Sequence, residues 1–289
     1  MDFIAPASLA EALAAKAERP DALPIAGGTD VMVELNFDHR RPPALLDLTA
    51  VAELAELSTV DGSGGGAVRI GAGVPYSRII AQAGEALPGL AMASRTIGSP
   101  QIRNRGTVGG NLGSASPAGD AHPPLLASDA VVEVASVRGR RDIPIGEFFV
   151  GVKRNALAAD ELITAVRVPP ATGPQQFAKV GTRNAMVIAV CSFALALHPD
   201  RRAVGTGIGS AAPTPVRAPE AEEFLAGALD WSGLNPLQSD VAHRFAELVA
   251  AAASPIDDVR GSAAYRRHAL AVLARRTLSW AWRELCSRL

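Results

Sequence analysis

The chain has 289 residues, with 28 Lys and Arg against 29 Asp and Glu, giving a net charge of −1. That balance offers no basic surface for nucleic acid or an anionic membrane, and no apolar run is long enough to span a bilayer. At this length a single core stops growing, so two or three small domains are expected.

Ser8 and Glu11 read as a capping box that opens an Ala/Leu-rich helix ending near Glu18, before Pro20. Leu23 to Ala26 is a short strand candidate. It runs into Gly27-Gly28-Thr29-Asp30, after which Val31 to Leu35 looks helical and Ala44 to Leu48 forms a second strand. A strand, a Gly-Gly turn and a helix start leave backbone N–H groups free for an anion. The G-x-G-x-x-G and G-x-x-x-x-G-K spacings are absent, so on this loop alone a plain tight turn stands as the alternative. Asp61 to Gly66 is a flexible turn. Val68 to Ala72 is strand-like. Pro75 at a helix N1 position opens a short helix over Tyr76 to Gln82, and Pro88 to Ile97 gives another.

The stretch Thr96 to Pro124 organises the rest. It holds six glycines between Gly98 and Gly119 and four prolines, and is expected to be largely irregular. Such a segment in a compact domain reads either as a loop around a large polar ligand or as a plain Gly/Pro connector. Gly109 and Gly110 allow close backbone approach. Asn111, Ser114, Ser116 and Asp120 add short polar groups suited to hydroxyls or phosphates. Beyond it, Leu125 to Ser128 gives a helical turn. Val131 to Val134, Arg141 to Ile145 and Glu161 to Val168 are strand candidates, the last ending at Pro169-Pro170.

Gln176 to Val180, Met186 to Leu197 and Ala203 to Ile208 read as three strands with no crossover helix between them, hence antiparallel. Pro213, Pro215 and Pro219 mark a linker. Helices are expected over 220–225, 237–253 and 263–285. In the last, Tyr265, Ala269, Val272, Leu273, Arg276, Leu278 and Trp280 suggest an amphipathic face, and Arg266, Arg267, Arg275 and Arg276 a solvated or subunit-facing side. The expected division is 1–55, 56–172 and 173–289.

Two cysteines, Cys191 and Cys286, lie far apart and cannot form an iron–sulfur site alone. They favour a reducing compartment, and with no basic-then-apolar leader at the N-terminus the expected location is cytoplasmic. His39, His122, His198, His243 and His268 show no metal-ligand spacing, so no metal site and no catalytic dyad are expected. His122 is the one acid–base candidate near the glycine loops.

The segments PIAGGTDVMVELN, TIGSPQIRNRGTVGGNLGSASPAGDAHPPLLASDAVVEV, FAKVGTRNAMVIAV and DVRGSAAYRRHALAVLARRTL, in this order, closely resemble the FAD-binding (medium) subunit of molybdenum hydroxylases: carbon monoxide, xanthine and N-heterocycle dehydrogenases. The resemblance implies an α+β chain with the FAD-binding fold of the vanillyl-alcohol oxidase type. Two α+β subdomains would clasp FAD, and a C-terminal domain of three-stranded antiparallel sheet and helical bundle would follow. It places the family's first phosphate loop on Ile25, Ala26, Gly27, Gly28, Thr29 and Asp30, and its second on Thr107, Val108, Gly109, Gly110 and Asn111. Asp120 falls on the acidic residue near the flavin or its ribityl chain. Ile97 falls where a side chain packs on the isoalloxazine, Ile163 near the adenine half, and Lys179 on a basic residue near the flavin.

Read from the residues alone, Asp120 is equally a turn cap and Lys179 a solvent-facing strand residue. Arg103 and Arg105 either steer a partner or keep the loop soluble. The implied function is electron transfer. A large subunit would carry the molybdenum cofactor and a small subunit the 2Fe-2S clusters. The acceptor would be NAD, a quinone or another carrier, and the assembly a dimer of heterotrimers. The alternatives are a self-contained flavin-dependent oxidoreductase and a scaffold that no longer binds FAD.

Overall fold

The computed structural model describes residues 1–60, 66–232 and 235–288; most of the turn expected at 61–66 lies outside the described residues. The first unit is a three-stranded parallel sheet of order β1-β3-β2, built from β1 (Asp2–Ile4), α1 (Leu9–Glu18), β2 (Leu23–Ile25), α2 (Val31–Asn36) and β3 (Ala44–Asp47). Ser8 caps α1 by accepting from the Glu11 N–H at 3.2 Å, and the Glu11 carboxylate reaches back to the Ala7 N–H at 2.9 Å. β1 escapes the sequence reading because three residues carry no measurable alternation.

The second unit is a five-stranded antiparallel sheet of order β4-β5-β10-β6-β7. Its elements, with the helices threaded between them, are β4 (Leu57–Val60), β5 (Ala67–Gly71), α3 (Tyr76–Gln82), α4 (Pro88–Thr96), α5 (Pro100–Arg105), α6 (Val108–Ser114), α7 (His122–Ala127), β6 (Val131–Ser136), β7 (Gly139–Pro144), α8 (Ile145–Phe148), the ribbon β8 (Phe149–Gly151) and β9 (Arg154–Asn155), and β10 (Leu162–Val168). One hydrophobic cluster, running from Ala12 to Val168, serves both units.

The stretch expected to be irregular is instead three short helices, α5 to α7. Ser99 and Thr107 cap two of them through the Ile102 and Gly110 N–H groups. Pro100 and Pro123 sit in first turns, where a missing N–H costs nothing. Pro75 is the N-cap of α3 rather than its first residue.

The third unit is the antiparallel sheet of β11 (Gln175–Val180), β12 (Cys191–His198) and β13 (Ala203–Gly209), followed by α9 (Pro219–Ala228), α10 (Ser239–Ala251) and α11 (Ala263–Arg288). Met186 to Val190 lies outside β12, contrary to the sequence reading. The expected linker is ordered. Val216 pairs with Ile208 in an isolated bridge, and Pro219 opens α9.

One face of this sheet carries a second cluster shared with α9 to α11. Against the other lies α7. Period-two spacing puts Gly205 and Gly207 on that face, and a Cβ at either would fall 2.0 Å from the carbonyl oxygen of Ala127 or Pro123. The third unit therefore docks backbone to backbone on the helix that follows Asp120.

α11 buries Ala269, Leu270, Leu273, Thr277, Leu278, Ala281, Trp282 and Leu285, whereas Tyr265 and Trp280 are exposed. Arg266, assigned to a solvated side, is 2 % exposed. Its guanidinium donates to the carbonyls of Val190 and Ser210 and pairs with Asp258.

Candidate functional site

β2 ends at Ile25, whose carbonyl accepts from the Leu48 N–H at 2.9 Å. The chain then turns through Ala26, Gly27, Gly28, Thr29 and Asp30 into α2. Gly28 has φ +74°, a conformation that favours glycine. Among the described residues, the backbone N–H groups of Ala26 through Asp30 have no protein acceptor. Five consecutive half-free amides at the start of a helix form an anion nest. Asp30 occupies the N-cap position of α2 without a side-chain capping bond.

The second glycine turn lies directly against the first. A Cβ on Gly27 would fall 1.8 Å from the Arg105 carbonyl oxygen, and one on Gly106 would fall 3.5 Å from Thr29 Oγ1. Its amides are less available than the sequence reading assumed. The Gly109 N–H donates to the Ala72 carbonyl at 3.1 Å and the Gly110 N–H to Thr107 Oγ1 at 2.9 Å. Val108 is fully buried. This turn acts first as a spacer that seats α6 on β5, and Gly110 itself is exposed.

Asp120 follows α6 and is not a turn cap, for α7 has no side-chain capping bond. Its Oδ2 lies 2.5 Å from Lys179 Nζ and 3.3 Å from Thr96 Oγ1. Lys179 is not solvent-facing. Its ammonium also donates to the carbonyls of Thr96 and Val187 at 3.0 and 3.1 Å, so its three protons all have protein acceptors. Burial pushes the Asp120 carboxyl above its ordinary value, and the Lys179 ammonium opposes that shift.

Ile97 caps the C-terminus of α4, half-buried. Arg103 clamps it by donating to the Ile97 and Gly98 carbonyls at 3.0 Å each, which gives Arg103 a structural duty. Arg105 is exposed. Ile163, on β10, is buried under α6, its Cδ1 3.9 Å from the Cβ position of Gly113. Ile25 is half-buried, with its Cδ1 3.6 Å from the Cβ position of Gly28.

Two residues stand out only in three dimensions. Tyr76 sits where the loops cross, 2 % exposed, and its hydroxyl is buried with no partner. His122 is fully buried. Its Nε2 donates to the Asn111 carbonyl at 3.1 Å, and its ring packs 4.6 Å from that of Phe149. Burial lowers its pKa from 6.5 to about 4, so the imidazole is neutral near pH 7 and has no route to a substrate. It supports the loop and is not a general acid or base.

The residues fit a flavin nucleotide. The amide nest suits a diphosphate, and Tyr76 OH, Asn111 Oδ1 and Asp120 Oδ1 are buried polar atoms without protein partners, the signature of a missing polar ligand. No group of three or more His, Cys, Asp or Glu among the described residues is placed to hold a metal. No described helix is long and apolar enough to cross a membrane. The cavity of about 590 Å³ between α1 and the five-stranded sheet, and the groove of about 870 Å³ between α10 and α11, involve none of the site residues.

The family model described as the FAD binding domain in molybdopterin dehydrogenase matches residues 1–171, and the CO dehydrogenase flavoprotein C-terminal domain matches 176–281. The chain is 36% identical over 284 residues to the nicotine 6-hydroxylase medium subunit of Paenarthrobacter nicotinovorans, covering 96% of this chain and 95% of that one. It is 31% identical over 282 residues to the xanthine dehydrogenase FAD-binding subunit of Escherichia coli O157:H7, covering 94% and 93%. A chain in the structure of carbon monoxide dehydrogenase from Hydrogenophaga pseudoflava superposes with a TM-score of 0.88 at 28% identity, with 98% of each chain covered.

Proposed function

Because the chain belongs to the family of FAD-binding medium subunits of molybdenum hydroxylases, we propose that it is the electron-transfer subunit of such a complex. It would take electrons from 2Fe-2S clusters in a small partner subunit and deliver them to an external acceptor, NAD, a quinone or another carrier. A large partner subunit would carry the molybdenum cofactor and the substrate pocket, the whole forming a dimer of heterotrimers in the cytoplasm. FAD, when bound, supplies the redox chemistry that links one-electron donors to the acceptor.

The observation that carries this reading is the run of acceptorless amides from Ala26 to Asp30 beside the unpartnered Tyr76, Asn111 and Asp120 atoms. The amides would hold the diphosphate without a Lys or Arg, so backbone dipoles carry that task. Thr107 to Asn111 would set the spacing of the cleft. Ile25, Ile97 and Ile163 would supply apolar walls, and Asp120 with Lys179 a polar one. The boundaries 1–55, 56–172 and 173–289 are proposed with it. A self-contained flavin oxidoreductase would need an acid–base residue, and a buried neutral His122 does not provide one.

The test is purification of the chain from its native host. A flavin absorption spectrum with molybdenum- and iron–sulfur-containing chains alongside is the expected result. A colourless protein that takes up no FAD overturns the reading, and a flavoprotein that reduces an acceptor alone favours the self-contained enzyme.

A further inference from the structure

Tyr76 is the first residue of α3, and its place is fixed by its backbone. Its N–H donates to the Gly106 carbonyl at 3.1 Å, and Pro75 before it forms an isolated antiparallel bridge with Thr107. Its Cδ2 lies 3.6 Å from the Cβ position of Gly106, which itself faces Thr29 Oγ1 at 3.5 Å. The ring therefore fills the seam between the two glycine turns. A phenylalanine would fill it equally well. The hydroxyl adds a buried donor that nothing in the protein satisfies, and a group left in that state is costly unless a ligand completes it.

Asp120 supplies the complementary half. Its Oδ2 is engaged by Lys179 and faces Thr96 Oγ1, while Oδ1 is buried without a partner. The Asp120 and Asp30 carboxylates both act on the phenol. Together with burial they push its pKa well above the ordinary tyrosine value, so it stays protonated and can only be satisfied by an acceptor. An unmatched donor and an unmatched acceptor that do not bond each other call for a group that accepts one hydrogen bond and donates another. A hydroxyl does both. A phosphate oxygen only accepts, and would bring negative charge toward the Asp120 carboxylate.

We infer that Tyr76 is a cofactor-positioning residue that donates to a sugar-chain hydroxyl of the bound dinucleotide, which in turn donates to Asp120 Oδ1. This rests on the FAD reading of the site. The hydroxyl belongs to the ribityl chain or to the ribose, and the two are separable by ligand.

The test compares full-length wild-type and Tyr76→Phe chains, stripped of flavin, by titration with FAD, riboflavin and ADP, and by thermal unfolding without ligand. The expected result is FAD affinity weakened about tenfold, the equivalent of one hydrogen bond, with a flavin-free midpoint unchanged or raised. Weakened riboflavin binding assigns the ribityl chain and weakened ADP binding the ribose; either supports the inference. Equal FAD affinity in both chains overturns it, whatever the thermal midpoint, because the hydroxyl is then only structural. Loss seen with FAD but with neither fragment points to the diphosphate and overturns it too. A wild-type chain that binds no FAD is a different result, which removes the functional reading beneath it.

Discussion

Lys179 Nζ and Asp120 Oδ2 lie 2.5 Å apart although 59 residues separate them in sequence, and each side chain is only 9% exposed. The pair ties β11 of the third unit to the loop after α6, across the same seam where Gly205 and Gly207 let α7 lie on β13. Site and domain contact are thus one structure, and substitutions at the pair act on both.

Removing one member leaves a buried charge without compensation. Lys179→Met is expected to lower the unfolding free energy by about 3–5 kcal/mol, and the double variant with Asp120→Asn by less than the sum of the singles. Urea unfolding of the four proteins measures this. Additive losses would mean the two groups do not interact in solution. Asp120→Ala is further expected to change flavin affinity or potential; if titration and redox measurements show neither, Asp120 serves the fold alone.

The two glycine turns separate folding from ligand approach. Gly27→Ala places a methyl 1.8 Å from the Arg105 carbonyl oxygen, a backbone atom that cannot step aside. It is expected to cost about 1–3 kcal/mol, as overpacking does, and to part the loops. At Gly110 an added Cβ meets only Thr107 Oγ1, at 3.1 Å. Gly110→Val is expected to keep a near wild-type thermal midpoint and lose flavin. Full flavin occupancy in that variant would show that nothing approaches the backbone there.

Much of this site was legible because its signals are local. The strand ending at Ile25, the Gly27-Gly28 turn and the start of α2 follow one another in fewer than fifteen residues. The segment from Thr96 to Pro124 was harder. Its glycines and prolines suggest irregularity, yet Ser99 and Thr107 caps and first-turn prolines make three helices from it. The commitment of the Gly109 N–H to Ala72, the Tyr76 hydroxyl in the seam and the Lys179–Asp120 pair depend on partners distant in sequence, which no spacing reveals. Arg266 misled for the same reason. On a helix wheel it belongs with a basic stripe, but tertiary packing turns it inward.

Arg266 anchors the entrance of β12 and the exit of β13 to α11 through the Val190 and Ser210 carbonyls, at 2.7 and 2.5 Å, and to the 258–261 turn through Asp258. Arg266→Met retains much of the apolar stem but strands two buried carbonyls and a carboxylate. The expected loss is about 3 kcal/mol or more, measured by chemical denaturation. Arg266→Lys is expected to recover only part of it, because an ammonium cannot span the same acceptors with a fixed fork. A lysine variant as stable as wild type would show that the guanidinium geometry is irrelevant.

His122 predicts a pH dependence with a definite sign. Its pKa falls from 6.5 to about 4 on folding, so between those values the unfolded chain binds more protons than the folded one. The stabilisation is fully present above about pH 6.5 and is lost as the pH drops toward 4. It amounts to about 3 kcal/mol in order of magnitude. Protonation would also place a proton on Nδ1, which is buried without a partner. His198, whose pKa burial also lowers, adds a slope of the same sign. The contribution of His122 is therefore the difference between wild type and His122→Gln. Thermal midpoints taken from pH 7.5 to 4.5 should fall more steeply for wild type than for the glutamine variant, whatever the level at which each starts. Parallel curves would mean that the imidazole titrates normally, and that the loop around Asn111 is open to water.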